Sequence, residues 1–121
     1  MSIDYELAKE LTEAHFLFDS PEKLWVRYWS QETKQNEYHL CDNNLNDWRV
    51  EQALETYPVP TLEELLEACG ANFGTLGYYT EGGQPTPDIA WKAFGGGTTA
   101  YGATPISAVA RLWITLEKLV L

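Results

Sequence analysis

The chain has 121 residues, 45% hydrophobic and 21% charged, with 18 acids against 8 bases and a formal charge of −10 at pH 7. That is globular composition at the length of a single domain, residues 1–121, and it excludes intrinsic disorder. The acid excess excludes phosphate-backbone binding as the main activity, because such binding needs Lys and Arg. No apolar run approaches the ~20 residues that span a bilayer.

The opening MSIDYELAKE carries acids where an export signal carries bases and an apolar stretch. The expected location is therefore the cytoplasm, and Cys41 and Cys69 are expected as free thiols. Cys69 falls on an apolar helix position, and Cys41, before Asp42, is expected nearer the surface. The charge is uneven. Residues 1–24 hold six acids and two bases, and residues 51–70 hold five acids and no base.

Residues 3–18 read as a helix. Ile3, Leu7, Leu11, Ala14 and Phe18 recur at spacings of three and four, with Ser2 or Asp4 as cap and Asp19-Ser20-Pro21 as stop. Glu6, Glu10 and Glu13 form a second, acidic stripe. Residues 24–30 (LWVRYWS) and 37–41 (EYHLC) read as a hairpin with a six-residue connection. Alternation places Leu24, Val26 and Tyr28 on one face and Trp25, Arg27 and Trp29 on the other.

The run DNNLN is a turn, and 47–57 reads as a short helix stopped by Pro58 and Pro60. Thr61 and Glu64 make a capping box for a helix carrying Leu62, Leu65, Leu66 and Cys69, with Glu63, Glu64 and Glu67 facing away and Gly70 as its left-handed stop. Residues 73–80 and 89–94 read as a second hairpin around the loop EGGQPTPD. GGGTTAYGA reads as a flexible lead into a last helix begun by Thr104-Pro105. Val109, Leu112, Trp113, Leu116, Leu119 and Val120 form its buried stripe, opposite Arg111 and Lys118.

The expected fold is α+β, ordered α-β-β-α-α-β-β-α. Two β-hairpins make an at least partly antiparallel sheet, packed with three to four helices. Both strand faces carry large apolar groups, so helices are expected over both faces, at least in part.

Two stretches carry a resemblance. Residues 60–70, PTLEELLEACG with Phe73, and 102–116, GATPISAVARLWITL, resemble segments of small bacteriophage and prophage proteins whose endings read G-x-T-P-x-x-A-V-A-x-L-W-x-x-L. The layout is similar to the phage ABA-sandwich domain. The matching segments cover about a fifth of the chain. They are helix starts and core stripes, so the resemblance implies a phage origin, a bacterial host cytoplasm and an accessory role. It implies no catalytic residue.

The search for chemistry finds no assembled set. His15 and His39 have no nucleophile at a useful spacing. There is no C-x-x-C, no H-x-x-x-H and no EF-hand loop; the Asp42–Asp47 run lacks the ordered ligand spacing of a calcium site. Gly95-Gly96-Gly97 stands too far from Pro105 for a phosphate loop. No catalytic residue, metal or cofactor is expected. Two features stand out. One is the aromatic and guanidinium face of Trp25, Arg27 and Trp29, suited to stacking or anchoring. The other is the pair of acidic stripes, Glu6, Glu10, Glu13 and Glu63, Glu64, Glu67, suited to a basic partner. The expected function is a non-enzymatic module that binds a protein, one with a basic surface, rather than nucleic acid or membrane. The alternatives are a nucleic-acid mimic that inhibits a host or defence protein, capture of a nucleotide-like ligand, and a structural assembly subunit.

Overall fold

The computed structural model describes residues 3–16, 18, 21–44, 46–78 and 90–119. The fold is α+β, and the described residues form two three-stranded antiparallel sheets and four helices. The chain divides into two compact units, Asp4–Pro60 and Thr61–Leu121 with Met1–Ile3.

In the first unit, helix α1 spans Tyr5–Glu13 and buries Leu7, Ala8 and Leu11. The Asp4 carboxylate caps it by accepting from the Leu7 N–H at 2.8 Å. The expected helix over 3–18 ends earlier. His15 turns left-handed (φ 64°), its N–H bonds the Thr12 carbonyl, and the Phe16 N–H bonds the Leu11 carbonyl, each at 3.0 Å. This pair of bonds closes a Schellman motif, and His tolerates the left-handed position better than most non-glycine residues. His15 is thus a helix stop. Asp19-Ser20, expected as part of the stop, lie outside the described residues.

Strands β1 (Lys23–Ser30) and β2 (Gln35–Asp42) pair antiparallel, Leu24 opposite Cys41 and Ser30 opposite Gln35. The connection is four residues, not six, because Gln35 and Asn36 extend the pairing to Ser30 and Trp29. Helix α2 is only Trp48–Glu51, with the Asp47 side chain as cap. The helix expected over 47–57 stops there, and Glu55–Val59 forms strand β3 on the other side of β1. Glu55 lies across from Arg27 and Tyr57 across from Trp25, so cross-strand pairing overrides local helical preference. Leu24, Val26, Tyr28 and Cys41 form a buried cluster against Val50 and Ala53. Cys41 is therefore core, not surface: it lies opposite Leu24 and shares its buried sheet face.

In the second unit, helix α3 (Leu62–Cys69) begins with the expected capping box. The Thr61 hydroxyl accepts from the Glu64 N–H and the Glu64 carboxylate from the Thr61 N–H, each at 3.1 Å. Gly70 has the positive φ of 57° that glycine favours, but its ψ of −135° departs from the expected left-handed cap, and the chain continues into a 3-10 turn. A 3-10 turn, Gly70–Asn72, leads into β4 (Phe73–Tyr78), which pairs with β5 (Trp91–Gly95). The loop EGGQPTPD and Ile89 lie outside the described residues.

The segment expected as a flexible lead is instead a third strand, β6 (Thr98–Gly102), antiparallel to β5. Gly96 and Gly97, at φ 59° and 79°, form its two-residue turn. Two successive positive φ values suit a tight hairpin, and glycine adopts them without penalty. The glycine run therefore closes a hairpin.

Helix α4 (Pro105–Leu119) starts where expected, with Thr104 and Ser107 capping each other through side chain and backbone. It packs on all three strands and on α3. Its burial is wider than one stripe: Ile106, Ala108, Ala110 and Ile114 are buried besides Val109, Leu112, Trp113 and Leu116. Arg111 and Lys118 are exposed, as expected.

Helices touch both faces of the first sheet. Val50 and the α2 end lie on the Leu24–Val26–Tyr28 side, and Tyr5 lies on the Trp25–Arg27 side. In the second sheet Ala93 and Ala100 share the buried face, while Phe94 and Tyr101 turn outward and are exposed.

Candidate functional site

The face carrying Trp25, Arg27 and Trp29 lies in the Asp4–Pro60 unit and is larger than alternation within β1 shows. The register adds Leu40, Tyr38 and Asn36 from β2, and Tyr57 and Glu55 from β3. Tyr5, the first residue of α1, stands over it. Its ring meets Tyr38 at 4.6 Å, Tyr57 at 5.3 Å and Trp25 at 6.4 Å between centroids, all edge-on. Edge-on contacts align a ring's positive edge with its neighbour's negative face.

Glu55 is the polar centre of this face. One of its oxygens, Oε2, accepts from the Tyr5 hydroxyl at 2.7 Å, the Arg27 Nε at 3.2 Å and the Tyr57 hydroxyl at 3.2 Å. The Arg27 Nη1 also donates to Asn36 Oδ1 at 3.3 Å. The Tyr5 hydroxyl bond, then the Arg27 bond, hold the Glu55 carboxyl down at about 2. Burial, then the Glu55 carboxylate, push the Tyr5 phenol up. The carboxylate stays ionised and the phenol stays neutral through the physiological range. Neither is poised to exchange a proton near neutral pH.

A pH dependence follows. The Glu55 carboxyl sits lower in the folded chain than the ordinary 4.5. Its stabilising contribution is present above pH 4.5 and is lost as pH falls from there toward 2. Thermal melts of the wild type and Glu55→Gln should show a gap at pH 6 that narrows steadily by pH 2.5. A gap independent of pH would contradict the assignment.

The other candidate residues are used differently. His39 stacks on Tyr28 at 5.4 Å and lies 3.7 Å from Glu37, which also accepts from the Tyr28 hydroxyl at 2.9 Å. Burial raises both thiols, Cys41 and Cys69, which disfavours the reactive thiolate. Asp47 caps α2 and chelates Arg49, and Asn44 accepts from the Asn46 N–H. These are the bonds of a capped turn. Among the described residues no group of three or more His, Cys, Asp or Glu could hold a metal ion.

The chain matches no known protein-family model, no curated protein and no solved structure.

Of the acidic residues singled out, Glu6, Glu10, Glu13, Glu63 and Glu67 are exposed. Glu64 is half-buried and committed to the capping box. The two stripes fall in different compact units, and α1 alone joins its stripe to the aromatic face, through Tyr5. Trp29 and Tyr38 are 47% and 49% exposed, so the face has an open end beyond Arg27. The spacing of Trp25, Arg27 and Trp29 revealed this face. Reading 47–57 as helix hides Glu55 and Tyr57, and Tyr5 reaches the face only through the packing of α1, which no local pattern shows. The alternation of Glu55, Tyr57 and Val59 was the signal.

Described residues include no helix long and apolar enough to cross a membrane.

Proposed function

We propose that this chain is a non-catalytic interaction module that binds a protein partner with a basic surface. The open end of the aromatic face and the acidic stripe of α1 form the contact. One observation carries the reading: the cations of the Asp4–Pro60 unit are largely spent internally. Lys23 is bonded to Asp42, Arg27 to Glu55 and Arg49 to Asp47. Glu6, Glu10 and Glu13 are left exposed on α1, whose first residue, Tyr5, packs against Tyr38 of the aromatic face. Interfaces favour this combination, with aromatic anchors supplying affinity and a charged margin supplying steering.

The phage accessory role and host-cytoplasmic setting implied by residues 60–73 and 102–116 belong to the same proposal. The nucleic-acid mimic reading draws less support, because Glu64 is held by its own helix cap.

The test is capture of partners from bacterial lysate by the full chain, compared with Trp29→Ala and with Glu6→Lys/Glu10→Lys/Glu13→Lys. Both variants alter exposed side chains and should melt near wild type. Each is expected to lose the captured protein at least ten-fold. Undiminished capture by both would overturn the proposal.

A further inference from the structure

Strands β4, β5 and β6 stand apart from the rest of this acidic chain. Their sequences, FGTLGY, WKAFG and TTAYG, hold no acid and a single charge, Lys92. Among the described residues of the second unit the acids stand on helices, Glu63, Glu64 and Glu67 on α3 and Glu117 on α4. Helix α4 packs on the sheet face that buries Ala93 and Ala100. The register puts Thr75, Gly77, Lys92, Phe94, Thr99 and Tyr101 on the opposite face.

Lys92 is at the middle of that face, with Gly77 across from it on one side and Tyr101 on the other. A Cβ at Gly77 would meet nothing within 4 Å, so the space beside Lys92 is open. Among the described residues no acid pairs with Lys92, whereas Lys23, Arg27 and Arg49 each hold one. Arg111 brings a second positive charge to the edge of the sheet, where its Nη1 donates to the Tyr101 carbonyl at 3.0 Å. Two exposed rings, Phe94 and Tyr101, border the cation. They are diagonal cross-strand neighbours, with β-carbons roughly 7–8 Å apart, a span that one planar ring system covers. Gly74 makes room for the Phe94 ring: a Cβ there would stand 3.2 Å from its Cδ1. The ring therefore rests beside the β4 backbone with its outer side open. Thr75 and Thr99 lie across from Phe94 on either side and bring hydroxyls to its margins.

We propose that this face binds a mononucleotide, its base stacked on Phe94 and Tyr101 and its phosphate at Lys92. Rings alone would suit any planar apolar group. The ammonium selects an anion, and the threonine hydroxyls select a base with hydrogen-bonding edges over a plain hydrocarbon ring. The chain's charge of −10 sets the size of the ligand. A nucleic-acid strand would bring a phosphate with every base into a field that repels it, whereas a mononucleotide brings its charge to Lys92 alone. The site lies in the second unit and is independent of the proposed binding of a basic partner.

Amide chemical-shift titration of the isotope-labelled full chain tests it. The probes are adenosine monophosphate, adenosine, inorganic phosphate and a short oligo(dA). Adenosine monophosphate is expected to saturate with a dissociation constant at or below about 1 mM, its shifts centred on Lys92, Phe94, Thr99 and Tyr101. Adenosine and phosphate should each bind more weakly by a factor of about ten or more. Lys92→Gln should bring the nucleotide down to the level of adenosine, and Phe94→Ala to that of phosphate. If Phe94→Ala is misfolded, Lys92→Gln decides. No saturation by about 5 mM nucleotide, shifts centred on Trp25 and Trp29, or an affinity indifferent to Lys92→Gln would overturn the proposal. So would an oligo(dA) that binds more tightly than the mononucleotide, which would assign the face to single-stranded nucleic acid. Lys92→Gln should capture a basic partner as the wild type does, so the failure of either reading leaves the other standing.

Discussion

Gly95→Ala is expected to destabilise the protein by about 3 kcal/mol, the upper end for overpacking a close contact. Gly95 is buried in β5, and a Cβ placed there would overlap the Asn72 carbonyl oxygen and stand 3.0 Å from the Phe73 Cα. Both neighbours are backbone, at the point where the 3-10 turn enters β4. Neither can rotate aside as a side chain would. Relief would require parting β4 from β5, which costs ladder hydrogen bonds. Gly77 on the same sheet is the control: a Cβ there meets nothing within 4 Å. Gly77→Ala should change stability by no more than about 0.5 kcal/mol. Urea denaturation of the two variants gives the comparison. Equal midpoints would show that β4 and β5 do not approach as described.

Leu112→Ala is expected to cost about 3 kcal/mol for a different reason. Leu112 has no exposed surface, and it lies on the helix that packs against all three strands of its sheet and against α3. Truncation removes apolar surface and leaves a cavity that elements on several sides cannot all close. Arg111, its exposed neighbour, donates to the Tyr101 carbonyl at 3.0 Å on the surface. Arg111→Ala should cost well under a third as much. A Leu112→Ala midpoint as close to wild type as that of Arg111→Ala would refute the packing of α4.

The parts of the fold legible in the sequence are those set by neighbours in the chain. Thr61 and Glu64 are three residues apart, and Thr104 and Pro105 adjoin, so both helix starts could be placed by local chemistry. The β1 face could also be read, since alternation needs only one strand. Strands β3 and β6 were hidden because their identity depends on distant partners. Glu55 and Tyr57 become strand residues only opposite Arg27 and Trp25. In the run Gly95–Gly97, any adjacent pair could have formed a turn, and the pairing of Gly95 with Thr98 selects Gly96 and Gly97. The same misreading concealed the polar centre of the candidate face. In the sequence Glu55 is one acid of a negative segment, whereas in the fold three donors converge on it and hold it ionised.

This separation of roles organises the protein. Groups that resemble catalytic equipment are engaged in holding the fold: His15 in a helix stop, Asp47 in a cap, Glu55 in a cross-strand network, and Cys41 and Cys69 in burial. On the proposed reading, exposed acids and the open end of an aromatic sheet face make the outside contact. The most direct measurement is the affinity for the captured partner at low and moderate salt, for wild type and Glu6→Lys/Glu10→Lys/Glu13→Lys. Wild-type binding should weaken steeply with added salt, while the residual binding of the variant should be weak and nearly independent of it. Equal affinities with the same salt response would contradict the central claim.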